Sequence, residues 1–470
     1  MTYWRAVSLF SNCGAGDVGY RDAGFRFDVM AELDERRLEV ALLNHPGAVG
    51  VPDDLRETWR EVVRQYRLRA GNRRPALLSA CPPCQGMSSA NGDRGRADDA
   101  VASSRDERNL LVVVVANVAL ELFPKVIALE NVQEFLTRKI LHPITGEAIS
   151  AAKLLITLLH EHYYPFPILT DLADYGVPQY RKRTFLTFVR RDLPGLRTFL
   201  RMNRAPYPRP THAPDGGGLE RVTLGEALRS FNLPSLDARS AETATDPARP
   251  LHFVPTWGPD DRRYAMVSAI PANSGASAWE NEVCGACGPV TVSEVDATCP
   301  RCRGPLLRPV VREQDGTYRL IKGFRGSSYR RMTPDEPAAT VTTASGHIGS
   351  DLTIHPYENR LLSPLEVSLL QTFPPDFAWG DALEEWGHTN VRAMIGEAVP
   401  PLFTRLHGAV LMGLLTNNWT LAPIALSDPR CLNASRKLGL RLGTPAAQAR
   451  PVGAQRLLEA GEDVRQTPAG

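Results

Sequence analysis

The chain has almost no excess of charge. Its 54 Lys and Arg stand against 52 Asp and Glu, a net charge of +2 over 470 residues. That is too small to demonstrate a polyanionic partner, so any contact with nucleic acid must come from local patches. No apolar run approaches the length of a membrane span. The opening MTYWRAVSLF lacks the basic-then-apolar form of a signal peptide and reads as a first strand, so a cytoplasmic location is expected. Internal repeats are missing, which argues against a solenoid or propeller. Cysteine is sparse: the eight are Cys13, Cys81, Cys84, Cys284, Cys287, Cys299, Cys302 and Cys431. In a chain of this length they point to thiol chemistry and metal rather than a disulfide framework. What remains, 43% hydrophobic and 23% charged, is an ordinary globular composition with length for two or three domains.

The chain is organised around residues 76–92, ALLSACPPCQGMSSANG. Residues 76–80 read as a short buried strand. Pro82 and Pro83 cannot continue a central strand, so the chain turns there and offers Cys84 on a loop beyond the strand's carboxyl end. In open α/β sheets chemistry is done at that edge. Three readings compete. Cys81-x-x-Cys84 could be a redox pair, though such a pair should open a helix in a small domain. It could be half of a zinc site, but no second Cys or His pair lies nearby. Or Cys84 is a nucleophile in a Pro-Cys-Gln loop.

Upstream, a strand at 5–10 leads into SNCGAGDVGYRDAGF, which contains Gly14-x-Gly16-x-x-Gly19. A second strand, 27–31, ends in Glu32, and a helix follows at 35–44. This β-loop-α-β pattern suits an adenosine-containing cofactor: glycines let backbone approach it and a carboxylate accepts ribose hydroxyls. The pattern alone does not separate a dinucleotide from S-adenosylmethionine. An acid near Asp54, after a short third strand, could reach an adenine amino group. The basic helix 58–74 reads as a solvated face. Beyond Cys84, residues 93–108 form a polar loop, 110–122 an apolar helix, and 125–129 a strand ending in Glu130-Asn131-Val132. A glutamate there is costly to bury without a purpose. Strands near 166–172 and 184–189 flank Gln179, Arg181 and Arg183, whose alternation puts them on one face of an extended segment.

From about Arg190 to Tyr357 the βα rhythm stops and proline, arginine and loop residues take over. Within this stretch lie Cys284-Gly-Ala-Cys287 and Cys299-Pro-Arg-Cys302. Four thiolates in paired CxxC knuckles fit a tetrahedral structural zinc ribbon. It would staple a small β unit that lacks a core of its own. Arg330, Arg331, Thr340, Thr342 and Thr343 suit either phosphate contact or an ordinary β edge. RLLSPLEVSLLQTFPPDF, 360–377, reads as a helix capped by Ser363 with Pro364 at its first position. A helix at 402–415 carries one apolar stripe.

Taken together these blocks resemble the DNA cytosine-5 methyltransferases of bacterial restriction-modification systems. LFSNCGAGDVG, AELD, PPCQGMS, ENV, QYRKR, RLLSPLEVSLLQTFP and GEAVPP occur in that family's order. The resemblance implies an α/β fold, a doubly wound Rossmann-like S-adenosylmethionine-dependent methyltransferase domain, with a smaller irregular target-recognition domain carrying the zinc ribbon. The expected divisions are 1–190 for catalysis and cofactor, 191–357 for target recognition, 358–420 for the return to the catalytic domain, and 421–470 as a weakly ordered tail. Phe10 and Gly14, Gly16 and Gly19 would cradle S-adenosylmethionine. Glu32 would hold its ribose and Asp54 its adenine, with Asn109 and Leu111 as further cofactor contacts. Cys84 would be the nucleophile. Glu130 and Arg183 would hold the target cytosine, and Arg181 would support the loop. Two departures stand out: Glu397 where the family commonly has Asn, and Cys81, a second thiol beside Cys84.

The chemistry accounts for these residue types. Cytosine C5 is a poor nucleophile, and a thiolate added at C6 makes it enamine-like. A protonated Glu130, its pKa raised by burial, could donate to N3, and Arg183 could bind O2. A duplex hides C6, so the base must be flipped out. Duplex DNA is the expected partner, with a cognate restriction endonuclease as a second candidate and a monomer as the expected state. Alternatives are a tRNA cytosine-5 methyltransferase, an NAD-dependent oxidoreductase, which leaves Cys84, Glu130 and Arg183 idle, and a non-catalytic zinc-ribbon DNA binder, which leaves the first domain unexplained.

Overall fold

The computed structural model describes residues 3–83, 110–142, 145–213, 218–258, 260–324, 326–350 and 352–442. The chain forms two compact units. One comprises Met1–Tyr175, Lys182–Thr211 and Val399–Gly470; the other comprises Gly176–Arg181 and His212–Ala398. The helices in chain order are α1 (Ala15–Asp22), α2 (Glu35–Asn44), α3 (Leu55–Ala70), α4 (Leu111–Leu122), α5 (Ala151–Leu159), α6 (Pro194–Arg201), α7 (Leu224–Phe231), α8 (Arg262–Ser268), α9 (Pro364–Leu370), α10 (Ala382–Glu397), α11 (Pro401–Thr416) and α12 (Pro429–Leu438).

In the first unit, strands β1 (Trp4–Leu9), β2 (Phe25–Ala31), β3 (Val49–Val51), β4 (Leu77–Ala80), β5 (Val126–Asn131), β6 (Tyr163–Asp171) and β7 (Lys182–Arg190) make one seven-stranded sheet. Their order is β3-β2-β1-β4-β5-β7-β6. The first five run parallel, and β7 is antiparallel to β5 and β6. This mostly parallel arrangement is Rossmann-like. The strands are apolar because both sheet faces are covered. Val7 and Leu9 join the core made with α3, α4, α5 and α12. Ser8, pointing the other way, donates to Asp17 on α1 at 2.6 Å. Asp34 and Asp54 start α2 and α3 by accepting the N–H of Arg36 and Arg56.

Helix α1 lies tightly on α11. A Cβ on Gly19 would fall 2.1 Å from Thr404 Oγ1 and 2.2 Å from Pro401 O. Gly19 is thus required by helix packing.

Two sequence-based boundaries also change. Residues 191–211 belong to the first unit, where β8 (Arg204–Pro208) pairs with β9 (Pro423–Ala425). Residues 176–181 and 358–398 belong to the second. The expected tail at 421–470 is regular as far as 442. Asp428 caps α12, Pro429 opens it, Gly439 ends it in a left-handed turn, and Cys431, Ala434 and Leu438 are buried. Residues 443–470 lie outside the described ones. The helical stretch Ala382–Thr416 does reach the length and apolarity of a membrane span, contrary to the expectation from sequence, but it breaks around Pro400 and 67% of its apolar window is buried in the fold.

The second unit has little regular structure, and its core gathers Leu236, Val254, Trp257, Val267, Ile270, Ile354 and Leu361. Backbone that forms no ladder still needs partners for its carbonyls. Buried arginines supply them. Arg331 donates to His355 O, Glu358 O, Val267 O and Ile270 O at 2.7–3.2 Å. Arg308 donates to Asn281 O, Ser293 O and Asp296 O. Arg392 reaches Ser345 O and Leu362 O. The phosphate-contact reading of Arg331 is therefore wrong. Thr340 is also committed, to Tyr180 O.

At the start of α9, Ser363 and Glu366 form a capping box. Both carboxylate oxygens of Glu366 also receive the Arg360 guanidinium, at 2.7 and 2.8 Å. Burial raises the Glu366 pKa, and the arginine more than reverses this, bringing it to about 2. A lowered folded pKa contributes stability above the ordinary carboxylate range and loses it as pH falls toward 2. We expect Glu366→Gln to cost about 3–5 kcal/mol at pH 7. Its penalty should shrink below about pH 4. Denaturant unfolding across pH checks this; a penalty independent of pH would contradict it.

Candidate active site

The loops after β1, β4 and β5 leave one edge of the sheet side by side, because these strands are neighbours. Ser8 pairs with Ser79, and Ala80 with Leu129. After β1 the chain turns sharply. Phe10, Asn12 and Gly14 have φ of 57°, 50° and 76°. Ser11 N–H reaches Ala31 O at 3.0 Å, and Gly14 N–H reaches Ser11 O at 2.9 Å. Gly14 begins α1 with no side-chain cap. Glu32, at the end of β2, accepts the Asn12 N–H at 2.8 Å and the Asp34 N–H at 3.3 Å. Glu32 is thus hydrogen-bonded to the turn that runs from Phe10 to Gly14. A Cβ on Gly16 would meet Val399 Cβ at 3.1 Å, so its bareness serves packing as well as any ligand.

The second loop begins at Cys81, whose N–H reaches Leu9 O at 3.3 Å. Cys84 and Asn109 lie outside the described residues, as does the polar stretch 93–108. Residues 81–83 are held from the neighbouring strand. Asn131, 3% exposed, donates its Nδ2 to Pro82 O at 2.9 Å. Its Oδ1 accepts the Val132 N–H at 2.9 Å. Sequence reasoning missed this role because it depends on β4 and β5 being adjacent.

Glu130 and Arg183 meet. Arg183 Nε lies 2.9 Å from Glu130 Oε1, with the side chains 15% and 13% exposed. They come from the paired strands β5 and β7, where Glu130 is opposite Phe185. The acid expected to be protonated through burial is ion-paired here. Arg183 also reaches Lys182 O at 2.9 Å. Arg181 is different. It lies in the second unit, 1% exposed, and donates to Val341 O, Gly396 O and Ala398 O at 2.9–3.1 Å. Gln179, equally buried, donates to Leu370 O and Gln371 Oε1 and accepts the Val341 N–H. The alternation of 179, 181 and 183 does not put them on one functional face. Arg181 is an interior clamp on the backbone of the second unit.

Asp54 caps α3, and the Arg56 guanidinium holds its carboxyl below the usual carboxylate range. Leu111 is a buried residue at the first turn of α4. Glu397 is exposed at the end of α10. A further carboxylate was not foreseen: Asp17, in the first turn of α1, is 4% exposed. Burial raises its pKa to about 6, against hydrogen bonds from Ser8 and Ser79 that lower it. It links α1 to both β1 and β4.

In the second unit the sulfurs of Cys284, Cys287, Cys299 and Cys302 lie within 4.8 Å of one another. Cys284 and Gly288 pair across a tight turn, and Cys299 N–H reaches Gly304 O at 2.8 Å. The N–H groups of Cys302 and Arg301 lower the Cys299 pKa to about 7, while the neighbouring sulfurs push the Cys287 thiol up to about 12, so the four thiols share their protons unevenly.

Comparison with known proteins agrees with this architecture. The family model for C-5 cytosine-specific DNA methylase matches residues 4–226 and 294–409. The Type II methyltransferase M1.HgaI of Avibacterium volantium is 26% identical over 405 residues, covering 84% of this chain and 94% of that protein. M.AquIA of Picosynechococcus sp. is 29% identical over 250 residues, 52% of this chain and 91% of its own. A solved E. coli prophage protein assigned as a DNA modification methyltransferase superposes with a TM-score of 0.51 at 20% identity, covering 88% of this chain and 99% of its own. That likeness shows the fold.

Proposed function

We propose a route for the reaction of this chain, which belongs to the C-5 cytosine-specific DNA methylase family. It is a DNA cytosine-5-methyltransferase dependent on S-adenosylmethionine. Its biological setting, by analogy with the Type II methyltransferases it is similar to, is the modification of a specific sequence that a companion endonuclease would otherwise cut.

The observation that carries the route is the Glu130–Arg183 pair beside the Asn131–Pro82 clamp. Cys84, four residues beyond the end of β4 in a Pro-Cys-Gln loop, is the nucleophile. Its thiolate adds to C6 of an extruded cytosine, forming a C6–S bond and making C5 electron-rich. Glu130, taking up a proton as the base displaces part of its contact with Arg183, donates to N3, and Arg183 donates to O2, where negative charge develops. Inserting the ring requires the two side chains to exchange part of their mutual contact for contacts with the base. C5 then takes the methyl group, the C5 proton leaves to water, and the C6–S bond breaks to regenerate Cys84.

The residues present fit the methyl donor. The uncapped start of α1 offers backbone N–H groups, and the Glu32 carboxylate stands at the end of β2 for ribose hydroxyls. Phe10 and Leu111 supply apolar surface and Asp54 is the candidate for adenine; Asn109, outside the described residues, is a further candidate by resemblance alone. When bound, S-adenosylmethionine supplies a methyl group on a sulfonium. The second unit is the target-recognition domain.

The four cysteines hold one structural Zn²⁺. A tetrahedron of about 2.3 Å Zn–S bonds has sulfurs about 3.8 Å apart, which the 4.8 Å cluster accommodates with small shifts. With four protein ligands no position is open for catalysis.

Cys84→Ser should abolish methylation of duplex DNA, read by bisulfite sequencing, while S-adenosylmethionine binding by calorimetry stays within about twofold. Turnover equal to the parent would reject the nucleophile, and methylation of tRNA in preference to duplex DNA would favour the other substrate. Metal analysis should find about one zinc per chain. Its removal by a chelator should unfold the second unit's knuckles; a fully folded, metal-free protein would contradict the zinc assignment.

A further inference from the structure

Gly14 is the hinge between the β1 loop and α1, and its left-handed conformation has no cap from within its own helix. It is gripped from outside. His45, the residue after α2, lies with Nε2 2.9 Å from Gly14 O. The imidazole is 4% exposed and meets the Phe27 ring edge-on at 5.3 Å. A Cβ on Gly14 would fall 3.0 Å from His45 Cδ2 and 3.0 Å from Ala41 Cβ, so helix α2 and its last turn pack directly on this peptide. Burial lowers the His45 pKa to about 4, so the ring is neutral near pH 7. A neutral imidazole carries one N–H, and a carbonyl can only accept. The hydrogen must therefore sit on Nε2. From the other side, Arg21 Nη1 donates to Asn44 O at 2.6 Å. Residues 44–45 and α1 are thus joined by two hydrogen bonds running in opposite directions. Gly14 O also accepts the N–H groups of Asp17 and Val18 at 3.1 Å, so His45 adds a third donor to the carbonyl that starts the helix.

We propose that His45 is a positioning residue for the methyl-donor site: its Nε2–H holds the Gly14 carbonyl and so fixes the turn that aims the start of α1 at S-adenosylmethionine. This rests on the reading of the Gly14 loop and Glu32 as that site. His45 touches neither substrate nor reacting atoms. Its effect is confined to how well the loop is preorganised, so it acts on donor affinity rather than on the chemical step.

The test is calorimetric titration of the full chain with S-adenosylmethionine. His45→Phe keeps a ring but no donor and should weaken binding about tenfold, the scale of one lost buried hydrogen bond. His45→Gln, whose amide N–H reaches about as far as Nε2, should recover binding to within about threefold. With both substrates saturating, kcat of the two variants should stay within about twofold of the parent. Parental affinity in His45→Phe overturns the proposal. So does equal weakening by Phe and Gln, since that would make the ring's packing the cause. Should His45→Phe not fold, His45→Gln decides alone: near-parental affinity supports the proposal and a tenfold loss rejects it. Glu32→Ala keeps the two readings apart. If it leaves affinity unchanged, the donor site is misplaced; if it weakens binding while His45→Phe does not, only the role of His45 fails.

Discussion

A single buried hydrogen bond, from Asn131 Nδ2 to Pro82 O, ties the end of β5 to the loop that leaves β4. Proline at 82 and 83 prevents that loop from pairing as a strand, and its carbonyls need donors. Asn131 provides one, and it follows Glu130 directly. The same strand end therefore presents the acid and anchors the segment leading to Cys84. Because β1 is the other neighbour of β4, the glycine loop is held in the same frame through Ser8, Ser79 and Asp17. The turn after β1, residues 81–83 and Glu130 are positioned by strand adjacency, and the side-chain bonds remove the remaining freedom.

The second unit answers a different difficulty. With few ladders, it satisfies backbone carbonyls from arginine side chains that are almost fully buried. A guanidinium offers five donors in a rigid plane, so one residue can gather several strands of irregular chain. Arg331 and Arg308 work this way, and Arg360 does so through Glu366. The four-cysteine cluster extends the same logic to a segment whose apolar core is no more than Val290, Val292 and Leu306 with the cysteines themselves. There a metal would stand in for the missing core.

Much of the first unit was legible because its signals are local. Apolar strands, Asp caps and the Gly14 turn each announce themselves within a few residues, and helix α2 falls on the expected 35–44. The pairing of Glu130 with Arg183 was anticipated as a joint role, though not as an ion pair. What was illegible depends on tertiary adjacency. Gly19 looks like a ligand glycine, and only the arrival of Thr404 and Pro401 shows that it serves packing. Arg181 and Arg183 look equivalent in an alternating run, yet the chain passes from one unit to the other between them. Alanine and arginine in the last fifty residues suggested weak order, and that impression hid the Asp428-Pro429 start and Gly439 stop of α12.

The proposed reaction depends on a covalent bond between Cys84 and C6 of the target base. The most direct measurement is mass spectrometry of the protein after reaction with duplex DNA carrying 5-fluorocytosine at the target and S-adenosylmethionine. Fluorine at C5 blocks the final proton loss, so the account predicts a stable adduct on the peptide containing Cys84. An adduct on Cys81, or none while unmodified DNA is methylated normally, would contradict it.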